Sequence, residues 1–423
     1  MRPIGFLGAV SCGLACAFSA LAAGPETSLR PEGRTAQVVQ VAASKQAQTN
    51  QGLQAWVAAF RARALAAGIS AATFDQAMRG VRYDPKIIER DRNQAEFTKT
   101  IWDYLDTAVS DLRIANGRAA LAKWDGALSQ IEARYGVEKE IITAIWGLES
   151  AYGTFRGSTS VINGLATLAY DARRAAFFEN ELIEALKILD SGDTTPARMQ
   201  GSWAGAMGHT QFMPSSWQKH AVDFDGDGKR NIWEDDPRDA LASTGAYLKH
   251  FGWTKGQPWG VEVRLPDRFD YTMADREKLK RPSDWAAMGI VPVSGAFDDR
   301  HGLASILLPG GAEGAAFMIF SNFAVLEKYN TADAYVIGVG HLADRIRGGG
   351  AIEHSWPRRL RALTKDERIE LQERLTAAGF DTVKIDAKMG PLTINAVRRF
   401  QLSQGIKPDG YPSLSVLERL RAL

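Results

Sequence analysis

Two groups of residues in this sequence have the types and spacing to do chemistry. The first is Glu149, at the end of Ile141-Ile142-Thr143-Ala144-Ile145-Trp146-Gly147-Leu148-Glu149-Ser150. Helical spacing puts Ile142, Ile145, Trp146 and Glu149 on one face. A carboxylate that continues an apolar stripe is held at the edge of a core, where desolvation disfavours the anion. That setting suits a general acid working near neutral pH. The same spacing also fits a Glu in a last turn that reaches solvent before Gly153, and helix geometry alone does not choose.

The second group is Asp223-Phe224-Asp225-Gly226-Asp227-Gly228-Lys229-Arg230-Asn231-Ile232-Trp233-Glu234. It fits D-x-[DN]-x-[DN]-G-x5-E without a mismatch. Carboxylates of Asp223, Asp225 and Asp227, the carbonyl of Lys229 and the carboxylate of Glu234 suit Ca²⁺, which takes six to eight oxygens. Gly228 permits the sharp turn. The alternative is an acidic surface turn solvated by water. The ion is expected to be structural, pinning the segment after Gln211.

These groups need elements to hold them. Lys139 to Tyr152 reads as a helix closed by Gly153. Helical patterns also cover 53–134, with an amphipathic stretch from Ala95 to Leu112, then Ala175 to Leu189, Asp239 to Phe251 and Asn322 to Asn330, with another after Ala332. Between Gly260 and Met318 the texture changes to Val-Glu-Val-Arg-Leu alternation with Pro and Gly turns, which predicts a small strand-bearing insert. Gly348-Gly349-Gly350 and the residues to 364 read as a linker, and Lys365 to Leu423 as three short helices. All 11 Trp residues lie between Trp56 and Trp356, so the central region is the one suited to handling sugar rings.

The chain has 423 residues, enough for two or three domains. Its net charge of +2 gives no general reason to expect nucleic acid or an anionic membrane as partner. Arg2, the apolar stretch from about Ile4 to Leu21 and Ala20-Leu21-Ala22 read as a secretory signal over 1–23, which predicts a periplasmic protein. A flexible spacer over 24–52 should follow. Cys12 and Cys16 are the only cysteines and fall inside the signal. A lipid anchor on Cys16 is the less favoured alternative, with Gly13 where such signals prefer Leu. No other run approaches the ~18 apolar residues of a membrane span.

Ile145-Trp146-Gly147-Leu148-Glu149-Ser150-Ala151-Tyr152-Gly153 and Gly201-Ser202-Trp203-Ala204-Gly205-Ala206-Met207-Gly208-His209-Thr210-Gln211-Phe212-Met213-Pro214-Ser215-Ser216-Trp217 resemble the membrane-bound lytic murein transglycosylase B family. The likeness extends more sparsely from about Leu53 to Ile346. It implies a mainly α (α+β), lysozyme-like catalytic domain over 53–350 with Glu149 as sole catalytic acid/base. By motif position it also implies substrate contacts from Arg173, Arg174, Ser202, Gln211, Asn322 and Tyr329. Blander readings stay open: Arg173-Arg174 as a solvated helix face, Ser202 and Gln211 as loop caps. His209 stands where the family usually has an aromatic residue, a departure that would alter sugar stacking. The family closes its longer metal loop with the Asp that opens the next helix, here Asp239, so Asp239 is the expected last ligand and Glu234 the alternative.

Leu371-Gln372-Glu373-Arg374-Leu375, Ala378-Gly379-Phe380 and Asp386-Ala387-Lys388-Met389-Gly390-Pro391-Leu392-Thr393 resemble a three-helix peptidoglycan-binding domain, here 365–423 after a linker over 351–364. Thr393 should open its second helix; a helical dimerisation module is the alternative. Together the resemblances imply a monomeric enzyme acting on peptidoglycan glycan strands. It would cut the MurNAc-GlcNAc bond to leave 1,6-anhydromuramoyl ends, with no organic cofactor. The rivals are a hydrolytic muramidase, which normally needs a second positioned carboxylate, and a non-catalytic wall-binding scaffold.

Overall fold

The computed structural model describes residues 33–92 and 99–423, with side chains from Thr49 onward. The signal segment over 1–23 lies outside the described residues, as does the spacer up to residue 32. From Gly33 the chain is helical to Ala66. This corrects the expectation of a flexible spacer up to residue 52. No Gly or Pro interrupts 34–51, and its Ala and Gln favour helix. The chain divides into two units, 1–49 and 50–423, and everything below concerns the second.

The helix Lys139–Ser150 buries every residue from Ile141 to Gly147. It packs against helices Asp111–Lys123 and Asp333–Arg347. It stops two residues before the expected end, because Ala151 and Tyr152 turn left-handed at φ 49° and 59° ahead of Gly153 at 84°. A non-glycine residue held there costs roughly 1–3 kcal/mol. Tyr152 offsets this strain. Its hydroxyl donates to the Arg113 carbonyl at 2.7 Å, and its ring covers Gly147, where an added Cβ would lie 2.6 Å from ring atoms.

Of the stretch read as helical from Ala95 to Leu112, residues 95–98 lie outside the described residues and the remainder is divided. Thr100 caps Ile101–Ala108 and Ser110 caps Asp111–Lys123, each hydroxyl accepting from the amide three residues on. Helices Ala175–Asp190, Arg238–His250, Ser321–Tyr329 and Asp333–Arg347 fall where the periodicity put them.

Strands β1 (Thr159–Ser160) and β2 (Gln200–Gly201) form a short antiparallel pair. The insert holds β3 (Gly260–Arg264), β4 (Val291–Pro292), β5 (Ser305–Leu307) and β6 (Ala316–Ile319). They form an antiparallel sheet of order β4-β3-β6-β5, with Gly260 opposite Ile319 and Ser305 also opposite Ile319. Val263, Trp285, Ile306 and Met318 give the insert its own small core.

The C-terminal unit has three helices, Lys365–Ala377, Pro391–Ser403 and Leu414–Arg421, around Leu371, Leu375, Phe400 and Leu417. Its second helix opens at Pro391, the first-turn position proline favours. Thr393 does not open it: its hydroxyl is buried, accepting from Gln372 Nε2 at 3.1 Å and donating to the Lys388 carbonyl at 3.2 Å. The unit is docked on the insert, with Arg398 donating to the Ala274 carbonyl at 2.6 Å and the Ala312 amide donating to Asp409 at 3.0 Å. Residues 351–364 form a strap: Arg358 grips Asp106 at 2.7 and 2.8 Å, and Trp356 lies against Trp102.

Candidate active site

Glu149 is half-buried on the last turn of Lys139–Ser150, the first group on its stripe to approach solvent. Its Oε1 accepts from the Tyr335 hydroxyl at 2.5 Å. Tyr335 sits in the first turn of Asp333–Arg347, 6% exposed. A buried phenol seeks a partner for its O–H, and here that partner is the carboxyl. The Tyr329 ring lies parallel to Tyr335 at 6.5 Å, and its hydroxyl donates to the Thr210 carbonyl at 2.6 Å. Burial first, and then the field of Glu149, pushes both phenols well above their usual range, so both stay protonated donors.

The segment 200–213 folds back on itself through bridges Gly201 to Met207 and Met207 to Phe212. Ser202 Oγ accepts from the Ala206 amide at 3.0 Å, tightening that turn. Gln211, at φ 54°, turns its Nε2 to the carbonyls of Gly208 at 2.8 Å and Arg156 at 3.1 Å. Both side chains thus brace the loop, each half-buried. An added Cβ on Gly208 would lie 2.2 Å from the Ile232 carbonyl, which is why glycine stands there.

Of the other expected contacts, Arg173 and Arg174 are gathered on the buried Asp91 at 2.8 and 2.5 Å, each about half exposed. Burial of Asp91 would raise its carboxyl, but the two guanidiniums outweigh it and hold it below the usual range. Asn322 requires a correction. It is fully buried, donating to the carbonyls of Thr254 at 2.9 Å and Gln257 at 2.7 Å and accepting from the Thr254 amide at 2.9 Å. Its amide brackets the insert and presents nothing to a groove. His209 also departs from expectation: 2% exposed, it cannot stack on a sugar, and burial pushes its imidazole down to about 4.

The acidic loop brings Asp223, Asp225 and Asp227 together, one oxygen of each within 4.8 Å of the others. Their backbone conformation is set by carboxylate caps: Asp223 accepts from Gly226 at 2.7 Å and Gly228 at 2.9 Å, and Asp227 from Lys229 at 2.8 Å. Asp239, 4% exposed, lies below and accepts from the amides of Phe224 and Asn231, both at 2.8 Å. Glu234 turns away to Arg198 at 2.6 Å. Clustered oxygens of this kind suit a hard cation; Asp239 ties the loop backbone at Phe224 and Asn231, whereas Glu234 is paired with Arg198.

Tyr335 is a residue that sequence reasoning missed. Its one signal is a phenol inside the apolar run Tyr335-Val336-Ile337, where the hydroxyl must find a partner. A carboxyl positioned by a phenol donor at one oxygen is a group that can pass one proton out and take one back.

The family model described as Transglycosylase SLT domain matches residues 52–344, and a peptidoglycan binding domain model matches 364–420. The chain is 34% identical over 251 residues to Membrane-bound lytic murein transglycosylase B of Escherichia coli, a match covering 57% of this chain and 66% of that protein, just under two thirds. Among solved structures, SltB3 from Pseudomonas aeruginosa in complex with NAG-anhNAM-pentapeptide is 48% identical at TM-score 0.84, covering 87% of this chain and 99% of that one. The same protein with NAG-NAM-pentapeptide matches equally. The Escherichia coli lytic transglycosylase Slt35 in complex with calcium is 29% identical at TM-score 0.60, covering 70% and 93%.

Proposed function

The chain belongs to the transglycosylase SLT domain family, and on that premise we propose that it is a peptidoglycan lytic transglycosylase in which Glu149 is the acid and then the base. Glu149 donates its proton to the oxygen linking N-acetylmuramic acid to N-acetylglucosamine, and that bond breaks. The carboxylate then takes the proton of the muramoyl C6 hydroxyl as that oxygen bonds to the anomeric carbon, closing the 1,6-anhydro ring. The observation that carries this reading is the hydrogen bond from Tyr335 to Glu149 at 2.5 Å. It fixes one oxygen as acceptor through both steps and so leaves a single proton to move. The two carboxylates of the neighbouring segment, Glu327 and Asp333, are both held by Arg276, which disfavours a two-carboxylate hydrolase.

Purified sacculi tell this reading from a scaffold, which binds murein and releases nothing. The native chain is expected to release soluble muropeptides. Tyr335→Phe should do so ~10–100-fold more slowly, the worth of a hydrogen bond to a charged group. Binding without release would remove the proposal, and an unchanged rate for Tyr335→Phe would remove the role of the phenol.

The loop residues Asp223, Asp225 and Asp227, the Lys229 carbonyl and Asp239 are proposed to hold Ca²⁺ as a structural ion, as a relative solved with calcium supports. Bound at a hundred times its Kd, a ligand stabilises the folded state by about 2.7 kcal/mol. Calcium should therefore raise the melting temperature by about 5 °C over chelator. An unchanged melting curve with no calorimetric heat would remove the site.

The C-terminal domain is proposed to hold the enzyme on murein and raise its local substrate concentration. A periplasmic location through the signal over 1–23 completes the proposal. Among the described residues, no helix is long and apolar enough to cross a membrane.

A further inference from the structure

We propose that His209 is a positioning residue that fastens the helix bearing Glu149 to the chain leaving the acidic loop, so that a divalent cation in that loop raises the turnover of Glu149. This rests on the reading of Glu149 as acid/base.

His209 is bonded on both sides. Toward the helix, its Nδ1 accepts from Trp146 Nε1 at 3.1 Å and its carbonyl accepts from Ser150 Oγ at 2.5 Å. Toward the loop, its amide donates to the Ile232 carbonyl at 3.0 Å and its Nε2 lies 2.6 Å from the Glu234 carbonyl. An indole N–H only donates, so Nδ1 is the acceptor and Nε2 carries the hydrogen given to Glu234. Both ring nitrogens are thereby committed to opposite sides of the joint, and the ring is neutral; Arg156 Nη1, 3.1 Å from Nε2, donates to the same Glu234 carbonyl at 2.7 Å and braces that side. The chain after the helix is shaped to this ring: an added Cβ on Gly153 would lie 2.6 Å from it.

The two helix contacts flank Glu149, at Trp146 and Ser150, so they set the rotation of the turn that aims its carboxyl. The loop contacts are tied back to the acidic cluster. Asp239 joins both ends of the loop by accepting from Phe224 and Asn231. Asn231 Oδ1 in turn accepts from the amides of Trp233 at 3.1 Å and Glu234 at 3.3 Å. A cation that relieves repulsion among Asp223, Asp225 and Asp227 favours the loop shape holding these carbonyls, and so favours one orientation of the helix end. Coupling of this kind requires the cation to bind that shape better than others.

The test compares the full-length native chain with His209→Phe and Trp146→Phe, each in calcium chloride and in chelator. Turnover of soluble glycan strands gives kcat and KM, and thermal melting reports calcium binding separately. Calcium should raise the native kcat about fivefold, while His209→Phe should keep the calcium-dependent rise in Tm. Its kcat should be about tenfold lower, unresponsive to calcium, with KM within about twofold. Trp146→Phe removes the donor of the same bond and should lower kcat and its calcium response in the same direction, and it decides the matter if His209→Phe does not fold. A native kcat indifferent to calcium while Tm moves, or variants that keep the native calcium response, would overturn the proposal. Activity surviving in Glu149→Gln would instead overturn the acid/base reading, whatever the His209 variants do.

Discussion

Glu149→Gln is expected to release murein fragments at least ~10³-fold more slowly than the native chain, since general acid and general base steps are each worth 10²–10⁴. The amide has nearly the shape of the carboxyl, and its oxygen can still accept from Tyr335. It can neither give a proton to a leaving oxygen nor take one from a hydroxyl. The helix beneath depends on Ile141 to Gly147, all buried, and not on the charge of residue 149. The variant should therefore melt with the native protein and bind sacculi equally. Release rates measured beside circular dichroism separate the two effects. A folded variant that cleaves murein within tenfold of native would mean that another group carries the proton.

How much of this site could be read before the fold depended on whether the signal was local. The stripe Ile142, Ile145, Trp146, Glu149 lies within three turns of one helix, and its three apolar members are buried with Glu149 half-buried beyond them. The loop of Asp223, Asp225 and Asp227 is likewise local, and its carboxylates converge within 4.8 Å. The insert was visible because its texture changes from a helical period to alternation at Gly260. Tyr335 had no such signal. It is 186 residues from Glu149, and only the packing of two helices brings phenol to carboxyl. Asn322 failed for the opposite reason. Motif position assigns it a substrate contact, yet the turn around Thr254 and Gln257 closes over it and takes up its amide. His209 shows the same limit, since nothing in its neighbours in sequence reveals that Trp146 and Glu234 meet its two nitrogens.

The product is the sharper test of mechanism. A carboxyl positioned through one oxygen by Tyr335 can give a proton and later receive one. Hydrolysis with inversion or retention normally needs a second carboxylate about 5–9.5 Å away. The carboxylates of the adjoining segment, Glu327 and Asp333, are instead both ion-paired with Arg276. The substrate's own C6 hydroxyl removes the need for either. Held beside the anomeric carbon, it attacks within one molecule, and such orientation can be worth ~7–11 kcal/mol over a free nucleophile. Fragments released from purified sacculi are therefore expected to end almost entirely in 1,6-anhydromuramic acid. By mass spectrometry these ends are lighter by one water than hydrolysed ends, and they resist borohydride reduction. Fragments with mainly reducible muramic acid ends would show that water is the nucleophile, and a second carboxylate would then have to reach the sugar from elsewhere in the groove.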